Sequence, residues 1–244
     1  MVDRTTNPEL RVAALTHVGG VRTVNEDCLF VDNWIAQASG TSLEITFDLR
    51  QRPITLAVID GMGGYVGGAV ASTTAALGLG TQDLGDLPVA MGQISRDVLD
   101  RGHAIAGHAD MGATLAGIRF QGSQVSIFNV GDSRVYRAID GYLGQVSVDD
   151  LVPDPSGVRK GLISQSLGGP IERALDPHEL TEPIEPGTTY LLCSDGLHDC
   201  VEHDQIAAAL ALEPKAACDE LVRQALAAGA RDNVSVIVAR VVAP

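Results

Sequence analysis

"ITLAVIDGMGGYVGGAVAS", residues 54–72, runs apolar through residue 59, sets one carboxylate at Asp60 and continues in glycines. Residues 54–59 read as a buried strand and the stretch from Val66 as a helix, so the acid stands at a tight turn between them. Glycine supplies positive φ and close packing at such a turn, which accounts for the glycines and leaves the charge unexplained. Spacing excludes two phosphate-binding loops. A P-loop needs Lys and then Ser or Thr after its last glycine, whereas Gly68 is followed by Ala69 and Val70. A dinucleotide G-x-G-x-x-G needs a glycine where Val66 stands.

Outward from that turn, β-type segments recur at 11–16, 28–33, 42–49, 54–59, 114–120, 124–129, 134–139, 142–148, 189–193 and 234–242. Many are joined by short turns such as QGSQ and IDGYLG, which makes the sheets mostly antiparallel. Helical patterns cover 66–79, 88–108, 203–212 and 214–228. Runs of strands interrupted by amphipathic helices predict an α+β layer architecture with helices packed outside the sheets. The 244 residues, 45% of them hydrophobic, suffice for a sizeable core, and no linker, repeat or low-complexity tract divides them. One domain over residues 1–244 is expected.

The formal net charge of −14 argues against nucleic acid and anionic membrane as partners, and it suits a cation site. No segment has the basic start and apolar core of a secretory signal. The long uncharged stretch 61–82 holds seven glycines and four Ser or Thr, too polar for a membrane span. Cys28, Cys193, Cys200 and Cys218 form no C-x-x-C pair and read as reduced structural thiols in a cytoplasmic protein.

Four acidic sites share the pattern of Asp60, an acid abutting an apolar strand beside turn-forming residues. They are RTVNEDCLFV (22–31) with Glu26 and Asp27, LAVIDGMGG (56–64) with Asp60, YLLCSDGLHD (190–199) with Asp195, and GARDNVSVIV (229–238) with Asp232. One such Asp reads as a helix cap or Asx-turn. Four together read differently, because an unpaired carboxylate at the edge of a core needs a partner, a raised pKa or a metal. Converging carboxylates without His or Cys are the ligand set of hard cations, so Mg2+ or Mn2+ is favoured over Zn2+, and the set is large enough for two ions.

With VRTVNED, VIDGMGG, DMGATLAG, VGDSRVYR, SQSLGG, LLCSDGLHDCV and RDNVSVIV following one another from about residue 11 to 242, the chain resembles the metal-dependent protein serine/threonine phosphatases of the PPM (type 2C) family, in a minimal bacterial form. The resemblance implies a four-layer α/β/β/α sandwich with two central antiparallel sheets flanked by helices. It implies that Asp60 bridges two core ions, Mn2+ or Mg2+, with the Gly61 carbonyl on one of them. Glu26 joins the second ion, Asp195 and Asp232 hold the other, and Asp27 stands behind them. It implies that Arg22 contacts the substrate phosphate, a role suited to a guanidinium fork. Asp110, in ADMGAT, matches the position of a third, weaker ion that shares Asp195. The implied reaction is hydrolysis of phosphoserine and phosphothreonine in proteins by direct attack of a metal-bridging water, with no covalent enzyme intermediate. The implied partners are phosphorylated proteins and a cognate bacterial kinase, and a monomer is expected.

Three features depart from the family pattern. Met62 stands where some members carry a His proposed as general acid. Ala113 replaces the first Thr of M-G-T-T. The flap, around 149–166, is shortened. Asp132, in VGDSR, reads as a turn-bracing residue, and His17 as a hydrogen-bonded one rather than a catalyst. A cysteine-based phosphatase needs Arg six places after its Cys, and Cys218 comes nearest with Arg223 five places on. Two other readings stand beside the enzyme: a non-catalytic phosphatase-like module, which the intact acid set disfavours, and a metal phosphoesterase acting on small molecules.

Overall fold

The computed structural model describes residues 8–64, 66–105, 107–152, 162–169 and 175–243. In chain order the strands and helices begin β1 (Glu9–His17), β2 (Cys28–Val31), β3 (Trp34–Ala36), β4 (Ser42–Asp48), β5 (Ile54–Ile59), β6 (Gly61–Met62), α1 (Val66–Thr81) and α2 (Leu87–His103). They continue β7 (Gly112–Ala113), β8 (Leu115–Gln121), β9 (Gln124–Val130), β10 (Arg134–Ile139), β11 (Tyr142–Gln145), β12 (Leu167–Gly168) and β13 (His178–Pro183). Last come β14 (Thr189–Cys193), α3 (Asp195–His198), α4 (His203–Leu210), α5 (Pro214–Ala227) and β15 (Val234–Val242).

Two six-stranded sheets have the orders β11-β10-β14-β15-β1-β4 and β13-β9-β8-β5-β2-β3, and a small third sheet joins β12, β7 and β6. Every ladder among the described residues is antiparallel. The alternation of side chains along each strand builds the layers. Leu56 and Val58 of β5 meet Leu10, Val12 and Ile237 in the core between the sheets. Their neighbours Ala57 and Ile59 face the other way, against Ala71, Ala75, Met91 and Ile94 of α1 and α2. Val236 and Val238 of β15 do the same on the opposite side, against Ile206, Ala217 and Leu221 of α4 and α5. Helices, sheet, sheet, helices: the four-layer α/β/β/α sandwich is the observed fold.

The boundaries differ where turn geometry overrides pattern. Helix α2 stops at His103 rather than 108, because Gly107 takes φ +83° and carries the chain back toward β7. Strand β11 ends at Gln145, where the amides of Val146 and Ser147 both donate to the Val135 carbonyl and break the ladder in the manner of a bulge. Strand β13, HELTEP, was unexpected; it is a polar edge strand closed by Pro183, the place a sheet tolerates proline. Of the flap at 149–166, residues 153–161 lie outside the described residues. Its two described roots are clipped together, with Leu151 bridging Ile163 and the Val152 amide donating to the Leu162 carbonyl at 2.7 Å. No described helix is long and apolar enough to cross a membrane.

Candidate active site

Asp60 leaves the end of β5 where the pairing of β2 with β5 sets Cys28 opposite Ile59, so Glu26 and Asp27 arrive beside it. The pairing of β14 with β15 does the same for the other pair, Cys193 opposite Val236, bringing Asp195 and Asp232 to one end of the first sheet. Both ends abut. The Asp60 carboxyl is held well above the usual carboxylate range, first by burial and then by the charges of Asp27, Asp195, Asp232 and Asp132. Asp27 is fully buried and pushed up to about 7 by burial, with Ser194 and Ser235 pulling it down and Asp195 and Asp232 pushing it up. Glu26 is raised too, chiefly by burial.

Arg22 reaches into this negative field. Its Nη2 lies 2.6 Å from Asp232 Oδ2 and its Nη1 3.8 Å from Glu26 Oε2. Burial works against the Arg22 charge, and Asp232, Glu26 and Asp60 outweigh it. The Arg22 side chain is 42% exposed, so it remains accessible from solvent.

Several polar residues hold the acids in place, and the sequence reading missed them. The Asn233 side chain accepts from the Glu26 amide at 2.8 Å and donates to the carbonyls of Val18 and Val24, so it staples the RTVNED loop to β15. Ser194 donates to Asp27 Oδ2 at 2.7 Å and accepts from the Ser235 amide. Ser72 of α1 donates to the Glu26 carbonyl at 2.5 Å. Thr114 sends its amide to the Asp60 carbonyl at 2.8 Å and pairs its hydroxyl with Ser133 at 2.7 Å. The available signal was small polar residues flanking acids at strand ends, in N-E-D, S-D-G and D-N.

Glycines let these pieces approach. A Cβ on Gly61 would sit 2.0 Å from the Gly68 carbonyl oxygen, and one on Gly68 would sit 2.7 Å from the Gly61 oxygen and 2.9 Å from Glu26 Oε1. The first turn of α1 therefore presses bare backbone against the Gly61 carbonyl and the Glu26 carboxylate. Gly196 approaches Asn233 in the same way, its Cβ position 1.9 Å from that carbonyl oxygen.

Among the described residues no three His, Cys, Asp or Glu side chains already form a metal cage. Arg22 draws Glu26 and Asp232 to itself, and the acids crowd one another without converging on one point. Their chemistry nonetheless fits hard divalent cations. All the donors are oxygens, Glu26 Oε1 is buried with no hydrogen-bond partner among the described residues, and the glycine cradle keeps the Gly61 carbonyl beside it. Asp110 is exposed in the turn ahead of β7. Asp132 lies within electrostatic reach of these acids: its carboxyl is pushed up to about 6 by burial and then by Asp195, and its charge acts in turn on Asp60. His17 accepts from the Gly19 amide, as a hydrogen-bonded residue. Burial raises the Cys28 and Cys218 thiols to about 12 and Cys193 further, so none of these three offers a thiolate.

A scan against protein-family models finds no match. The chain is 34% identical to the serine/threonine protein phosphatase PstP of Mycobacterium tuberculosis over 96% of its own length, and it spans 45% of that relative. It is 28% identical to the serine/threonine phosphatase stp of Listeria monocytogenes, covering 76% of this chain and 83% of that one. The solved catalytic domain of PstP, in complex with two manganese ions, superposes with a TM-score of 0.75 at 31% identity, over 97% of this chain and all of that one. With that likeness over whole domains, in fold and in sequence, the chain belongs to the PPM family of serine/threonine protein phosphatases.

Proposed function

We propose that the chain is a metal-dependent protein phosphatase that hydrolyses phosphoserine and phosphothreonine. The observation that carries this reading is the approach of Arg22 to Glu26 and Asp232 beside the buried Asp27 and the half-buried Asp60 and Asp195, whose charges repel one another. Asp60 and the Gly61 carbonyl, with Glu26 on one side and Asp195 and Asp232 on the other, are the groups to hold two core ions. The solved PstP catalytic domain holds two manganese ions, and Mn2+ or Mg2+ is the expected pair here. Such ions supply Lewis acidity that activates water and neutralises charge on the transferring phosphoryl group.

The chain's own residues do the rest. The exposed side of Arg22 takes phosphate oxygens through its planar fork and, in doing so, exchanges carboxylate partners for phosphate. Asp27, pinned by Ser194, stands behind the ligand set. Met62 has no proton to give, so the leaving oxygen takes its proton from water. A third, weaker ion is assigned to Asp110 with Asp195 shared. Residues 1–244 act as one catalytic domain, a cytoplasmic monomer opposing a bacterial-type kinase.

The test is release of phosphate from a phosphothreonine peptide with added Mn2+, with EDTA as control and phosphorylated metabolites as competing substrates. Mn2+-dependent release from the peptide, abolished in Asp60→Ala, is the expected result. Equal turnover in EDTA, or in Asp60→Ala, overturns the mechanism, and a preference for metabolites overturns the substrate class.

A further inference from the structure

We propose that Asp150, at the root of the flap, is a positioning residue that holds the Gly131–Asp132 turn and through it the Asp132 carboxyl in the acid cluster. The inference rests on reading that cluster as the catalytic centre. Asp150 is 7% exposed. Its Oδ2 accepts the Gly131 amide at 2.8 Å, and its own amide returns a bond to the Gly131 carbonyl at 3.0 Å. Its Oδ1 accepts from Gln165 Nε2 at 2.8 Å and sits 2.9 Å from His178 Nε2. Its carbonyl accepts the Ser164 amide at 2.8 Å. One carboxylate thus ties both roots of the flap and the edge strand β13 to a single turn.

That turn has no slack on its other side. Gly131 adopts φ +95°, and a Cβ there would come within 2.6 Å of Thr114, whose amide holds the Asp60 carbonyl and whose hydroxyl holds Ser133. The two residues before Asp150 grip the same segment: Asp149 makes a bidentate pair with Arg134, and Val148 exchanges two bonds with the Asn129 side chain. Gly131, and with it Asp132, the one acid in this turn, is therefore held between Asp150 and Thr114, whose amide bonds the Asp60 carbonyl. The Asp132 charge acts on both Asp60 and Asp195.

The two oxygens of Asp150 do separable work, which makes the proposal testable. Gln165→Ala and His178→Ala remove partners of Oδ1 only. Asp150→Asn replaces one acceptor oxygen with an amide that has only donors, so either the Gly131 amide or the Gln165 and His178 side chains face a donor. Expected for Asp150→Asn is a loss in kcat of about 10- to 100-fold, with KM little changed, on both a phosphothreonine peptide and an aryl phosphate. Gln165→Ala and His178→Ala should stay within about 3-fold, since the Gly131 bond survives in them. The Asp132→Asn, Asp150→Asn double variant should be no slower than Asp132→Asn alone, because one acts through the other.

Hydrogen exchange at Gly131–Ser133 gives a readout independent of turnover. It should quicken in Asp150→Asn and stay unchanged in the other two single variants. If the native chain releases no phosphate, the functional reading has failed, and exchange alone still decides whether Asp150 holds the turn. Unchanged exchange at Gly131, unchanged kcat in folded Asp150→Asn, or additive losses in the double variant each overturn the proposal. Should Asp150→Asn fail to fold, Asp150→Glu, which keeps the acceptors but moves them by one methylene, takes its place with the same expected directions.

Discussion

Gly68→Ala places a methyl group where α1 leans on the site, and its consequence can be worked out from distances. In an ordinary helix the change stabilises by up to about 1 kcal/mol, because glycine loses more backbone freedom on folding than alanine. At Gly68 the new Cβ would lie 2.7 Å from the Gly61 oxygen and 2.9 Å from Glu26 Cδ and Oε1. Relief to ordinary contact at 3.4 Å needs shifts of about 0.5–0.7 Å, and overpacking of this kind costs about 1–3 kcal/mol. The propensity gain offsets part of that, leaving a net loss of about 0–2 kcal/mol, or a Tm lower by up to about 8 °C for a chain of this size. The larger effect falls on turnover, because both groups pushed aside are proposed ligands, and a displacement approaching 1 Å costs about 100-fold. Gly92→Ala in α2 is the internal control, since its Cβ would meet only Arg96 Nη1 at 3.7 Å. Thermal unfolding and Mn2+-dependent phosphopeptide hydrolysis are measured on both. Gly92→Ala should gain Tm and keep its turnover; the same result from Gly68→Ala would refute the cradle.

Arg22→Ala should raise KM for phosphorylated substrates about 10- to 100-fold, the loss expected for one charged hydrogen-bonding partner, and a change seen only in Mn2+ affinity would contradict its phosphate role. Asn233→Ala removes three bonds, two to the RTVNED loop and one to the Val18 carbonyl ahead of it, and should cost about 2–4 kcal/mol in chemical denaturation; a cost below about 0.5 kcal/mol would show that the loop is held by other means. Alkylation of the native protein with iodoacetamide should modify Cys200 first, the one cysteine that is not buried, and leave turnover intact; inactivation that tracks loss of Cys28, Cys193 or Cys218 in a folded sample would argue for a thiol in the chemistry.

The parts of this fold written into local pattern are legible in the residues themselves. Residues 54–59, 134–139, 189–193 and 234–242 are strands to the residue, because their apolar runs end in turn-formers or charges. The four acids are legible for a related reason, since a carboxylate at the end of an apolar run demands an explanation. The edge strand β13 is not, because HELTEP owes its conformation to pairing with β9 and has no apolar face of its own. The two-residue strands β6, β7 and β12 likewise exist only through one another. Asp132 resembles turn chemistry in the sequence because its partners, Asp195 and Asp60, lie about 60 to 70 positions away along the chain. Asp150 gives no signal at all: its meaning lies in an amide 19 residues earlier and a side chain 28 residues later.

Strands β1 and β15 pair along nine residues, from Glu9 opposite Val242 to His17 opposite Val234, in the interior of their sheet. The residues they join are separated by more than 200 positions, so the sheet cannot close around its middle until β15 has left the ribosome. Loop closure over that distance is slow and places the decisive contact late in folding. Asp232 lies two residues before β15 and Glu26 nine after β1, so the same late event brings them together. During synthesis the chain would therefore pass most of its time without a competent centre, α1, α2 and the β5–β8–β9 ladder formed beside a first sheet that lacks its middle. Such a fold completes its site at one moment, when β1 and β15 meet.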